Sequence, residues 1–146
     1  MMQITTRFFG ALECPEEAII RFPSGIPPFS DQQAFVVVSD ENSPLVFLQS
    51  VAAPELCFIT VPLQTIDPAY QLQVEPFDLQ ALALEAPPCG MDGLTCLTIL
   101  TIPEQGPTTA NLAAPIVINP VTKVGVQAVR SDRTYSHAYP LEPVST

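Results

Sequence analysis

Hydrophobic positions fall in short runs of Val, Ile, Leu, Phe and Thr, and prolines separate most of those runs. Proline lacks a backbone donor and clashes inside helices, so it marks turns, edges and strand ends. β-branched and aromatic runs of this length read as strands. The pattern predicts a first strand over residues 3–13, with Ile4, Thr6, Phe8, Gly10 and Leu12 on one face and Gly10 at a bulge or bend. A strand over 18–22 runs into the turn-rich stretch 23–28. Strands over 35–39 and 45–51 are joined by Asp40-Glu41-Asn42-Ser43-Pro44, which is turn chemistry throughout. A strand over 56–61 stops at Pro62, and 70–74 reads as another short one.

The best helix candidate is 76–84. Pro76 suits the first helical position, Asp78 sits near the positive end of the dipole, and Pro87-Pro88 forbids continuation. In 94–102 the threonines at 95, 98 and 101 hint at a helical period. The β-branched content and Pro103 favour a strand buried on both faces. Residues 115–118 and 124–130 flank Asn119-Pro120 and read as a hairpin, and 142–146 as a frayed end. Short strands every ten or so residues predict an all-β, mainly antiparallel fold: a small closed or rolled β-barrel-like domain with one or two short helices. No internal repeat or linker divides the chain, so 1–146 is expected to be one domain.

Composition supports a packed core. Hydrophobic residues make up 47% and charged residues 14%, and mean hydropathy is +0.31, which argues against disorder despite 17 prolines. The formal net charge is −10. The cations are Arg7, Arg21, Lys123, Arg130 and Arg133, so the span from Phe22 to Thr122 has none, while it carries ten acids. That balance argues against a nucleic-acid groove and against binding to anionic lipid. It steers basic partners toward the surface, or serves only solubility.

The amino terminus shows no charged segment followed by an apolar one, and no apolar run approaches the ~18 residues of a membrane helix, so a cytoplasmic protein is expected. Cys14, Cys57, Cys89 and Cys96 are scattered without a C-x-x-C pair, and His137 is the sole histidine. They predict neither a disulfide frame nor a zinc site; Cys57 and Cys96 read as small buried hydrophobes. The glycines form no phosphate-binding loop, and Ser136-His137 is not a triad. Neighbouring acids Glu16-Glu17 and Asp40-Glu41 point to opposite faces of a strand. The inventory predicts no enzyme and no cofactor.

Several blocks then carry a resemblance. They are Thr5-Thr6-Arg7-Phe8-Phe9-Gly10 and Phe22-Pro23-Ser24-Gly25-Ile26-Pro27-Pro28-Phe29, followed by Ser43-Pro44-Leu45-Val46-Phe47-Leu48-Gln49-Ser50-Val51. Thr109-Ala110-Asn111-Leu112-Ala113-Ala114-Pro115-Ile116-Val117-Ile118-Asn119 and Gly125-Val126-Gln127-Ala128-Val129 complete the set. In this order they are similar to the flagellar assembly factor FliW family nearly end to end. Pro28 stands where the family usually has glycine, and the segment 135–141 departs from its Y-x-x-R-H-P-L ending.

The resemblance implies a cytoplasmic β-barrel-like binding protein, monomeric when free. It holds flagellin before export. Once freed, it binds the RNA-binding translational regulator CsrA and antagonises it allosterically, relieving repression of flagellin translation. Two alternatives stay open: an export chaperone for flagellin only, or a small acidic mimic of RNA.

Charge and position make Asp40, Glu41 and Glu55, all at strand ends, and also Asp67, the candidate partner contacts. The 22–29 loop reads as a rigid turn whose Phe22 and Phe29 plug the core, with a partner surface as the other reading. Asn111 and Asn119 read as turn or cap residues, Gln49 as a residue facing the ladder, and His137 as an exposed tail residue.

Overall fold

The computed structural model of the chain describes residues 2–39, 41–84 and 93–141. The expected frayed end 142–146, Cys89 and the Pro87-Pro88 stop lie outside the described residues.

The predicted first strand is in fact two. β1 (Met2–Thr6) and β2 (Gly10–Cys14) form an antiparallel hairpin with Thr6 opposite Gly10. Thr6 Oγ1 closes the turn: it donates to the Gly10 carbonyl and accepts from the Phe9 N–H, both at 2.8 Å. Gly10 takes the left-handed conformation that a turn this tight demands (φ +69°). Hydrophobic alternation runs unbroken through this turn, so the pattern alone does not reveal it.

A 3-10 turn, Glu16–Ala18, leads to β3 (Ile20–Arg21). Then come β4 (Ala34–Ser39), β5 (Val46–Ser50) and β6 (Cys57–Pro62), an antiparallel meander. Two short helices follow, α1 (Leu63–Ile66) and α2 (Pro76–Ala81). The remaining strands are β7 (Thr95–Thr101), β8 (Thr109–Ala110), β9 (Ile116–Asn119), β10 (Val124–Gln127) and β11 (Tyr139–Pro140). The ring runs β7-β6-β5-β4-β3-β10-β9 and closes where β9 pairs with β7. Every step is antiparallel except β3–β10, where Val124 lies beside Arg21. This is a closed seven-stranded barrel, as the pattern of short strands predicts.

Alternation along the strands sorts side chains into layers. Phe22, Ile26, Phe35, Leu48, Leu97 and Ile116 fill the barrel, and Phe22 meets Phe35 edge-on at 5.4 Å. Gly125 borders them: a Cβ there would lie 2.6 Å from the Phe22 ring, so only hydrogen fits. The opposite faces of β7, β9 and β10 carry a second core. Cys96, Val117 and Val126 pack there with Leu63, Tyr70 and Leu82 from the helical segment. The strand expected over 94–102 runs Thr95–Thr101 and is buried on both faces at its centre, Cys96–Thr98, while Thr95, Thr101 and Ile102 are exposed. On the other side of the barrel the β1–β2 hairpin seals a third layer. Its Arg7 N–H donates to the Pro54 carbonyl at 2.9 Å and Phe9 meets Phe47 edge-on. Beneath it Val36 and Gln49, opposite one another, are buried. Gln49 Nε2 staples the β5–β6 turn by donating to the carbonyls of Ser50, Ala53 and Pro54 at 3.1–3.3 Å.

Three further expectations need correction. Residues 70–74 form no strand. Side chains satisfy this backbone instead: the Gln71 N–H donates to Tyr135 Oη at 2.9 Å, and its carbonyl accepts from Arg130. The helix predicted over 76–84 ends at Ala81, because Ala83 takes a left-handed conformation (φ +59°). In the 22–29 loop Phe22 is fully buried, but Phe29 stays 40% exposed and meets Phe58 edge-on. Asn111 and Asn119 behave as expected. Each side-chain carbonyl accepts the N–H two residues on, and Asn119 Nδ2 also donates to the Leu82 carbonyl at 2.8 Å.

Candidate partner-binding surface

The acids singled out by charge do not form one patch. Asp40 lies outside the described residues. Glu41 is exposed on the β4–β5 turn, and Glu55 is exposed on the β5–β6 turn. Antiparallel order puts these two turns at opposite ends of β5, roughly 17 Å apart at ~3.4 Å per residue. Closeness along the chain therefore does not bring Glu41 and Glu55 together. Asp67 serves the backbone: it ends α1, its Oδ1 accepts from the Ala69 N–H at 3.0 Å, and its carbonyl accepts from Tyr70.

Of these acids, Glu41 borders a concave surface. Phe9, Val38, Ser39 and Phe47, with Glu41 and Asn42, line an open groove of about 560 Å³. Phe9 comes from the hairpin tip and meets Phe47 at 5.2 Å, edge to face. Ser43 Oγ accepts the Leu45 N–H at 3.1 Å and holds the turn that carries Glu41. Phe8, beside Phe9, is 61% exposed, with the Arg7 guanidinium 5.9 Å above its ring. An apolar floor with an acid at its rim suits an amphipathic peptide that carries a basic residue.

Among the described residues no group of three or more His, Cys, Asp or Glu could hold a metal ion. Burial pushes the Cys96 thiol up to about 11 and raises Cys57 as well, so both stay protonated and unreactive at neutral pH.

Sequence reasoning passes over Arg130. Its side chain is 2% exposed and lies beside a stacked pair of rings, 4.6 Å from the Tyr135 centroid and 5.5 Å from that of Tyr70, which are themselves 4.2 Å apart. Its fork grips Asp132 at 2.8 and 2.7 Å, and its remaining nitrogen donates to the Gln71 carbonyl. Tyr70 Oη donates to the Leu112 carbonyl at 2.5 Å, and burial pushes this phenol up to about 12. Segments 67–75, 108–114 and 130–141 are thus tied at one point, and Ser136–Leu141 is anchored rather than loose: the Leu112 N–H donates to the Ser136 carbonyl, and the Leu141 N–H to that of Thr108. His137 itself is exposed, as expected. A usable signal is an Arg that closes the largely apolar run 124–129 with an acid two residues on.

The hydrogen bonds from Arg130 hold the Asp132 carboxyl down at about 2. A depressed carboxylate stabilises the fold above its unfolded value near ~4, and that stability drains away as pH falls toward ~2. Thermal melts of the natural chain are expected to drop more steeply between pH 4 and 2 than those of Asp132→Asn. Parallel curves would show that the pair contributes nothing.

Comparison with known proteins agrees with this geometry. Residues 3–141 match the family model described as FliW protein. The flagellar assembly factor FliW of Syntrophomonas wolfei is 34% identical over 142 residues, covering 96% of this chain and 88% of its own length. That of Geobacillus sp. (strain WCH70) is 34% identical, covering 97% and 96%. A crystal structure of the flagellar assembly factor FliW superposes with a TM-score of 0.84 at 32% identity, covering 99% of this chain and all of that one. The barrel, its hairpin cover and its sequence blocks are those of one family: this chain belongs to the FliW flagellar assembly factors.

Proposed function

We propose that the protein is a non-enzymatic, cytoplasmic binding protein of flagellum assembly. It holds flagellin and, when free of it, binds CsrA and antagonises it allosterically, so that flagellin translation is released from repression. It is monomeric when free and binds neither nucleic acid nor membrane directly. Family membership supports the flagellar role. The observation that carries the binding role is the apolar groove with Glu41 at its rim. No helix among the described residues is long and apolar enough to cross a membrane.

Mimicry of RNA calls for acids spaced like phosphates along one track. Glu41 and Glu55, at opposite ends of β5, do not supply one, and the groove floor is apolar. Binding beside the RNA surface rather than on it is the better fit.

Calorimetric titration with flagellin and with CsrA from the same genome, at two salt concentrations and with and without the RNA, tests this reading. Sub-micromolar CsrA binding that persists with RNA is expected. Loss of binding with RNA present would favour mimicry, and no CsrA binding at either salt would leave a flagellin chaperone. Glu41→Lys is expected to weaken binding about tenfold, or ~1.4 kcal/mol, with the larger loss at low salt. Unchanged affinity would remove the groove from the interface.

A further inference from the structure

Two of the five cations are brought together by the one parallel step of the barrel. β3 and β10 pair so that the Arg21 N–H donates to the Lys123 carbonyl at 2.9 Å. Their side chains line an open cleft of about 500 Å³ with Met2, Glu16, Ile19 and Val124. Lys123 is held there by a left-handed backbone (φ +60°) that closes the β9–β10 turn, its N–H donating to the Asn119 carbonyl at 2.9 Å. Both cations are exposed, and among the described residues neither forms an ion pair, unlike Arg130, which pairs with Asp132. On a chain of net charge −10, two adjacent cations that form no ion pair, with Glu16 as the one acid in the cleft lining, make a locally positive site.

We propose that this cleft binds a carboxylate on an acidic, apolar peptide segment of a protein partner. The planar fork of Arg21 can take a carboxylate by two parallel hydrogen bonds, and Lys123 adds a second charge. Met2, Ile19 and Val124 supply apolar surface for the side chain next to it. Glu16 in the lining penalises a doubly charged phosphate more than a singly charged carboxylate. The net charge repels a polyanion such as RNA at long range. The cleft shares no lining residue with the Glu41 groove, and the proposal stands independently of the flagellar reading.

The test is a titration of the nitrogen-15-labelled full chain, followed by amide shifts. The probes are the blocked peptide Leu-Glu-Val-Glu-Leu, its counterpart with Gln for Glu, and inorganic phosphate. At millimolar concentrations the acidic peptide is expected to shift amides at 19–21 and 122–124. The Gln peptide is expected to bind about tenfold more weakly, and Arg21→Gln to weaken the acidic peptide by about tenfold. Lys123→Gly, which also relieves the left-handed backbone, is expected to weaken it likewise while the chain stays folded. Equal affinity for the two peptides, shifts confined to other surfaces, or no shifts would overturn the proposal. Tighter binding of phosphate than of the acidic peptide would overturn it in favour of a small-anion site.

Discussion

Replacing Arg130 with alanine is expected to destabilise the protein by about 3 kcal/mol, which for a chain of this size lowers the melting temperature by roughly 10 °C. The guanidinium is nearly inaccessible, and it ties the Gln71 backbone to Asp132. Its loss leaves the Gln71 carbonyl without its donor, strips Asp132 of its counter-charge and opens space beside the paired Tyr70 and Tyr135 rings. Asp132 is one-third exposed and finds water, so the main penalty comes from the lost packing, with a smaller one from the part-buried Gln71 carbonyl. Arg130→Met separates the contributions: it keeps much of the packing against the paired rings and removes the fork. Denaturant titration of both variants reads the difference, with Met expected to fall between Ala and the natural chain. A loss under 1 kcal/mol in the alanine variant would show that the Gln71 segment holds without this tie.

Gly25→Ala is expected to cost as much or more. Gly25 is buried at φ +67°, and a Cβ there would lie 2.5 Å from Ser30 Cα, a backbone atom with no freedom to swing aside. The left-handed backbone alone costs an alanine about 1–2 kcal/mol. The collision adds to that by forcing apart a turn in which the Gly25 N–H donates to the Phe22 carbonyl and Phe22 and Ile26 are fully buried. A total of about 3–4 kcal/mol follows, read as a shifted denaturation midpoint or loss of soluble protein. Gly10→Ala is the matched control: φ is similar, but the added Cβ meets nothing within 4 Å, so only the backbone strain, about 1 kcal/mol, is expected. Equal losses at both sites would show that the Ser30 contact is relieved cheaply.

The barrel strands were legible because proline and turn residues cut the β-branched runs where the strands end. β4, β5 and β6 lie within a residue or two of the predicted ranges, and the Asn119 turn joins β9 and β10 as expected. The break after Thr6 was not legible, because Phe8 and Gly10 continue the alternation that Ile4 and Thr6 begin. Nor was the irregular path through Gln71, whose backbone partners, Tyr135 and Arg130, lie some 60 residues along the chain. For the partner surface, composition pointed to acids but not to their arrangement. Glu41 became a candidate in its own right only when Phe9, from a distant hairpin, was found across from Phe47. The Phe22–Phe29 block could be read as a family motif; that Gly25 is needed because Ser30 fills the space of a Cβ is visible only in three dimensions.

The parallel β3–β10 step also sets the tempo of folding. The meander β4-β5-β6 can zip from its own turns, but the ring is not shut until Val124 reaches Arg21 across about a hundred intervening residues. That contact gives nothing back until its loop entropy has been spent. Closure is therefore late, and folding is expected on the millisecond-to-second scale of β-barrels rather than in microseconds. Until it closes, β10 and β3 each present an unpaired edge. A chain emerging from the ribosome stays in that open, association-prone form until β10 has been made.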